Sequence, residues 1–320
     1  MGRYLLRRTI VLVLSLIVAG LVLFVLLRLL PGDPAAALLS VGADDAQIAA
    51  AREQVGSDQP VWVQLGLFLS DLARFDLGRS FASNQPVLPE ILARLSVTLP
   101  LTLASFLLAI CIAVPLGIIA GVKADRWYGA AISAASQLGI AVPVFWIGIL
   151  LVWLVAVEWR LLPASGFPID GWGDPLAAMR ALILPVLTIA IVMSASLLRY
   201  VRSATLDVLG ADYLRNARAL GESQTRALIR HGIRNGAVPV ISVLGIELAS
   251  TLLGAVVVER VFTLPGLGSM LLLGIQQRDY PSVQAVLLVS TLLVLLIGFV
   301  ADIVQRLIDP RLREPSGAAR

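Results

Sequence analysis

Leu95–Val122 reads LSVTLPLTLASFLLAICIAVPLGIIAGV, 28 consecutive residues without Asp, Glu, Lys or Arg. A bilayer core about 30 Å thick is crossed by roughly 20 apolar helical residues, so this stretch predicts a membrane-spanning helix. Working outward, four more stretches carry no charge: Thr9–Leu27 (19 residues), Trp127–Val157 (31), Ala181–Leu198 (18) and Tyr280–Ala301 (22). A sixth, Asn235–Val258 (24 residues), is interrupted only by Glu247. Composition agrees, with 58% hydrophobic and 14% charged residues, against about 25% charged in ordinary soluble domains. A mean hydropathy of +0.89 would leave a water-soluble chain with more exposed apolar surface than monomers tolerate. The expectation is an all-α, polytopic membrane protein with six transmembrane helices.

A formal net charge of +4 would also suit a nucleic-acid binder, but the charges are not spread evenly. With the N-terminus in the cytoplasm, 16 of the 25 basic residues fall in inside segments, seven of them between Arg199 and Arg234. The outside segments hold nine basic and 13 acidic residues. Lys/Arg bias sets membrane orientation, so both termini are expected in the cytoplasm of a multi-pass protein of the cytoplasmic (inner) membrane. The basic excess then reads as orientation and headgroup attraction, with lipid and not nucleic acid as the partner. The first span has a basic start, but its apolar run exceeds the 7–15 residues of a signal peptide, so an uncleaved helix is expected.

Four regions follow: 1–30, the cytoplasmic N-terminus and first span; 31–94, an extracytoplasmic segment; 95–305, a five-helix core including a cytoplasmic loop at 199–238; and 306–320, a cytoplasmic tail. Proline and glycine at Leu30–Pro34 stop the first span. Within 31–94, residues 44–54 are polar and helix-compatible. Trp62, Leu65, Leu67, Phe68, Leu69 and Leu72 predict a short amphipathic piece lying on the membrane or on the neighbouring helices. The second outer loop, Glu158–Arg180, carries Pro163, Gly166, Pro168, Gly171, Trp172, Gly173 and Pro175, and reads as irregular. The third turns at Pro265 and Gly266 before an apolar strip, Leu271–Ile275, that is too short to span.

Enzyme chemistry finds little purchase. One Cys and one His rule out an internal disulfide framework and a Cys/His metal cluster. Lys123 is the single lysine and has no glycine-rich phosphate loop before it. His231 lies in the most arginine-rich loop, a poor place for a neutral base. Cys111 sits between Ile110 and Ile112 and reads as packing. No catalytic or metal residue is assigned.

The 199–238 loop is patterned. Apolar residues recur at Leu206, Leu209, Tyr213, Ala217 and Leu220, and charged ones at Arg215, Arg218, Glu222, Arg226, Arg230 and Arg234. Both series keep helical spacing on different faces, and Gly210 and Gly221 divide the segment into short helices. On periodicity alone, a solvated basic loop and a docking surface for a soluble partner fit equally well.

The residues themselves resemble a known family. YLRNARALG at Tyr213–Gly221, HGIRN at His231–Asn235, and Pro239 are similar to the coupling-loop signature of inner-membrane permeases of ABC importers. The form resembles the dipeptide/oligopeptide/nickel branch. So do YLLRR from Tyr4, LPGDP at Leu30–Pro34, VVVERVF at Val256–Phe262, LPGLG at Leu264–Gly268 and RDYP at Arg278–Pro281. Where the broad superfamily begins its signature with Glu-Ala, this chain has Arg215 and Asn216, with Ala217 as the second alanine. His231 and Arg234 fall where the wider pattern has an apolar residue and a proline.

The resemblance implies a type I ABC importer permease fold and no ATPase motif in this chain. It implies a second permease subunit, two cytoplasmic subunits binding ATP and Mg, and an extracytoplasmic solute-binding protein. Transfer of peptides or a related small solute across the membrane is the implied activity. The coupling residues it implies are Tyr213, Arg215, Ala217, Arg218, Ala219, Gly221, His231, Arg234 and Asn235. Physically, Gly221 permits a break with close backbone approach, and the alanines leave room for a partner.

An ionisable residue within a span is costly, about 2.5–3.5 kcal/mol on insertion scales, and is a functional candidate. Glu247, one or two turns into the fifth span, and Ser250 are the translocation-path candidates. A structural hydrogen bond to a neighbouring helix is the alternative for Glu247. Pro163, Trp172, Pro265 and Gly266 are the candidates for docking the binding protein. Pro115, Pro143 and Pro185 interrupt three spans as kinks or hinges. Gly117, Gly121, Gly139, Gly148 and Gly254 allow close helix contact. Two rival readings are an ion-gradient-driven secondary transporter, for which Glu247 is the lone coupling carboxylate, and a non-transporting membrane scaffold.

Overall fold

The structure, a computed structural model, describes residues 2–29 and 58–308, together with residue 46. The polar stretch at residues 44–54 and the tail beyond residue 308 lie outside the described residues, apart from residue 46. The described residues are helical apart from short turns and one isolated antiparallel bridge, Arg79 to Pro86. They fall into two compact units: Met1–Leu99 with Leu264–Leu295, and Pro100–Thr263 with Leu296–Arg320.

In the first unit, helix α1 (Gly2–Leu29) is free of charge from Thr9 to Leu27, with its arginines confined to its two ends. Helix α2 (Val61–Ala73) forms where the short amphipathic piece around Trp62 was expected, and it is apolar. It lies on α1 through Phe68, whose ring is 5.5 Å from that of Phe24. Arg28, in the last turn of α1, is held by contacts with Phe24 and Gln64. Its guanidinium stacks 3.5 Å over the Phe24 ring and donates to Gln64 Oε1 on α2. Helix α3 (Val87–Val122) starts eight residues before the charge-free stretch that announced it. Its first turns pack Val87 and Ile91 against Leu267, Met270, Ala285 and Val286. Those partners come from α10 (Leu267–Gln277), the strip too short to span, and from α11 (Tyr280–Ile308).

Asp279 knots this unit together. It is buried, and its Oδ2 accepts from Ser80 Oγ at 2.6 Å and from Ser282 Oγ at 2.7 Å. Its Oδ1 accepts from the Phe81 amide at 2.9 Å. A buried carboxylate is tolerated when such donors replace its water. At the start of α10, an amide with no partner inside the helix donates instead to the α3 side chain: Leu267 N to Thr98 Oγ1, 2.9 Å.

The second unit is organised around α6 (Pro175–Gly210), 36 residues capped by Asp174, whose side chain accepts from the Ala177 amide. The helix therefore begins inside the loop that its prolines and glycines marked as irregular, with Pro175 at a first-turn position where its missing N–H is harmless. Of the apolar windows of the spans, 61% of that in α6 is buried against 11% in α1, so α6 is the central helix. Leu197, Leu198 and Val201 pack on Ala113 and Ala120 of α3. Gly117 and Gly121 let the two helices meet: a Cβ at either would lie 2.7 Å from Val201 or Thr205. Gly139 and Gly148 meet Ala195 and Phe262 in the same way, while Gly254 faces open space.

The third charge-free stretch departs from expectation. Helix α4 (Trp127–Ala141) ends at Val142, which is extended, and α5 (Val144–Leu151) starts after Pro143 and continues as a wider-wound turn to Glu158. The two arms bend by 100°. Among the described residues, five helices are long and apolar enough to cross a membrane, six if the bent pair counts as one span. Pro115 and Pro185, by contrast, lie inside uninterrupted helices.

Candidate functional site

The loop between the fourth and fifth charge-free stretches is built from short helices. Helix α6 continues to Gly210, and Ala211 is extended with ψ 142°. Helix α7 (Asp212–Ala219) follows, then Gly221 at φ +95°, then α8 (Gln224–Ala227) and a wider-wound turn over Leu228–Gly232 leading into α9 (Ile233–Val261). Both glycines thus divide the segment as their positions predict. Gly221 has no heavy atom within 4 Å of where a Cβ would be. Backbone conformation, not crowding within the chain, calls for glycine there.

The break at Ala211 resets the helical phase, so the apolar series does not form one buried stripe. Leu214 is the anchor, 1% exposed, packing with Val208, Ala227 and Leu228. Ala217 is half-buried beside them. Leu220, at 88% exposed, and Tyr213 point away from the chain, as does Ile229. Arg215, Arg218, Ala219, Gly221 and His231 are likewise exposed. Gly232 is buried where a Cβ would lie 2.7 Å from Leu228 and 2.8 Å from Val208, which seats the end of the loop against α6.

Periodicity places Glu222 in the charged series but does not reveal the pairs by which it closes the loop. Glu222 Oε1 pairs with Arg230 Nη1 at 3.3 Å, and its Oε2 lies 3.5 Å from His231 Nε2. Separations of eight and nine residues are invisible to an i, i+4 reading. Ser223 caps α8 by accepting from the Arg226 amide, Asp212 pairs with Arg215, and Asn235 donates to the His231 carbonyl. Arg234 contributes its backbone to the first turn of α9. The result is a compact knob that exposes Leu220 and Ile229 along with Arg218, Arg226 and Arg230.

Glu247 lies at the midpoint of the 29-residue helix α9, deeper than the expected one or two turns: it is already twelve residues, over three turns, past Asn235. Its Oε1 accepts from Ser196 Oγ of α6 at 2.7 Å, and its backbone carbonyl from Thr251 Oγ1 at 2.7 Å. Glu247 is half-buried and Ser250 exposed. Glu259, two residues before the end of α9, is fully enclosed.

The proposed docking residues differ in access. Pro163 is exposed, and Trp172 is 37% exposed with its ring edge-on to Phe167 at 5.9 Å. Pro265 is half-buried, and Gly266 is buried as the residue preceding α10.

Residues 113–314 match the family described as the binding-protein-dependent transport system inner membrane component, and residues 1–102 match its N-terminal companion. The chain belongs to that family. It is 38% identical over 298 residues to a protein of Brucella abortus (strain 2308) named as a peptide transport system permease, covering 93% of this chain and 95% of that one. It is 36% identical over 313 residues to the glutathione transport system permease protein GsiC of Escherichia coli O6:H1, covering 98% and 99%. A chain of the MetNI methionine ABC transporter, solved in inward-facing conformations, superposes with TM-score 0.54 at 18% identity, over 68% of this chain and 96% of that one. A chain of an amino acid ABC transporter does so with TM-score 0.51 at 18% identity, over 68% and 94%. These two show a shared fold. The protein is a multi-pass inner-membrane permease subunit of an ABC importer, and its family implies work with an ATPase and a binding protein.

Proposed function

We propose that this permease carries peptides, and that ATP hydrolysis on partner subunits drives it through the loop at residues 213–239. The carrying observation is the run of relatives named for peptide and glutathione transport, aligned over nearly the whole chain. The complex would be a heterodimer of this chain and a second permease, with two ATPase subunits and an extracytoplasmic binding protein. ATP and Mg belong to the ATPases, and this chain holds neither. Residues 199–238 and both termini lie in the cytoplasm, on the strength of the Lys/Arg bias.

The loop suits coupling because it combines exposure with rigidity. An exposed leucine alone means little, but one short loop exposes Leu220, Ile229 and three arginines, the apolar and cationic residues from which protein interfaces are made. Leu214 seats the knob on Val208 of α6 and the Glu222 pairs hold the knob together, so a push on its tip moves the span as a body. Tyr213, Arg215, Arg218, Ala219, Gly221 and His231 form the contacting surface in this reading, with Arg234 and Asn235 at its base. Pro163 and Trp172 are the better-exposed contacts for the binding protein. Glu247 and Ser250 line the path.

Gly221 provides the test. In proteoliposomes holding the complete complex, with ATP at the face carrying residues 199–238, Gly221→Asp abolishes uptake of labelled trialanine. Gly221→Ala, which adds only backbone strain of about 1–2 kcal/mol, retains a measurable part. Equal uptake by wild type and Gly221→Asp would refute docking at this loop.

A further inference from the structure

Glu247 is a carboxylate at the centre of a membrane-spanning helix. Twelve residues separate it from Asn235 and fourteen from Val261, about 18 Å and 21 Å along the axis at 1.5 Å per residue. Neither end of the helix is within snorkelling reach of a glutamate. Charges at such depth face the bundle interior or a water-filled cavity and pair with a partner. Glu247 does not: it is half-buried, it accepts one side-chain hydrogen bond, from Ser196, and it pairs with no cation among the described residues. Ser196 holds Oε1, leaving Oε2 without a hydrogen bond among the described residues. Around it, Ser250 is exposed, and Thr251 is turned inward to the Glu247 carbonyl and the Met193 sulfur. A fixed, half-satisfied carboxylate at mid-membrane is what a site for a passing cationic group requires.

We propose that Glu247 is a specificity-determining residue that receives the free α-ammonium group of the transported peptide at the membrane midpoint. This rests on the peptide reading above and sharpens it, because it separates peptides with a free amino terminus from those without one. An α-ammonium offers three donors on a compact charge. Oε2 and the outer lone pair of Oε1 accept two of them, and the Ser250 hydroxyl lies on the next turn for a third. The geometry also gives Ser196 a role: by donating to Oε1 it holds the carboxylate in one orientation, as a positioning residue. A neutral, acetylated amino terminus offers one N–H in place of the charge and leaves the carboxylate's desolvation unrepaid. A hydrogen bond to a charged group contributes about 1.5–3 kcal/mol, and 1.4 kcal/mol is tenfold in a rate or equilibrium.

The experiment compares uptake of trialanine and N-acetyl-trialanine by the complete complex in proteoliposomes, with binding protein saturated by each peptide. The quantity read is the ratio of the two uptake rates in wild type divided by the same ratio in Glu247→Gln. Binding-protein preference cancels in that quotient. The expected quotient is about tenfold or more, arising from slower trialanine uptake in the variant with acetylated-peptide uptake unchanged or raised. Glu247→Gln is isosteric and removes a charge from the membrane, so it is expected to assemble. Glu247→Asp, which keeps the charge, is expected to retain a selectivity above that of Glu247→Gln, and Ser196→Ala to lie between wild type and Glu247→Gln. A quotient near one would overturn the role of Glu247 while leaving peptide transport intact. ATP-driven uptake of neither peptide by wild type would overturn the peptide reading and this inference with it.

Discussion

At the scale of single residues, the two carboxylates that matter most sit in opposite circumstances. Asp279 has three donors and is sealed; Glu247 has one side-chain donor and is half open. The first is a structural knot, and its removal strands the Ser80 and Ser282 hydroxyls and the Phe81 amide in a buried place. Asp279→Ala is therefore expected to destabilise the chain by about 3 kcal/mol, seen as a lower melting temperature of the detergent-solubilised complex. An unchanged melting temperature would show that the network contributes nothing net. Legibility differs between the two carboxylates as well. Glu247 stood out because it alone interrupts an apolar run. Asp279 did not, because nothing in RDYP announces donors 199 residues away at Ser80. The same holds for Glu222, whose partners Arg230 and His231 lie beyond one helical turn.

At the scale of elements, span positions were readable because charge-free length is a direct consequence of the solvent. Their ends and continuity were less so. Helix α3 and helix α6 extend past their apolar windows, since outside lipid a helix needs capping and packing rather than hydrophobicity. Asp174 and the Val87–Ile91 contacts supply these. Proline alone does not say where a helix breaks. Pro115 and Pro185 are absorbed, but at Pro143 the chain turns by 100°. The difference is tertiary: Gly148 of α5 is buried against Thr188 of α6 and Phe262, which draws that arm away from the line of α4. Spin labels at positions 134 and 157, with Cys111 replaced by serine, test the bend. A straight helix separates them by about 34 Å; the bent pair is expected to give about 20 Å, from the same rise per residue and the 100° angle. A distribution centred near the longer value would contradict the break.

At the scale of the whole molecule, the apolar composition, the Arg-rich loop and the single lysine describe a division of labour. This chain supplies the spans and a rigid knob, while its family implies that ATPase and binding protein are separate subunits. The loop illustrates how far sequence goes toward a site. Its helix breaks at Gly210 and Gly221 were legible, because glycine's conformational freedom is local. Its buried face was not, because the phase reset at Ala211 puts Leu214 inward and Leu220 outward. An ion-driven transporter would need no such exposed knob.

The central claim is that ATP hydrolysis by partner subunits drives peptides through this permease. It is tested most directly by trialanine uptake into proteoliposomes holding both permease chains and the binding protein, with and without the ATPase subunits. Uptake that needs both the ATPases and ATP, and does not respond to an imposed ion gradient, is the predicted result. Uptake that persists without the ATPases and follows the gradient would contradict the account.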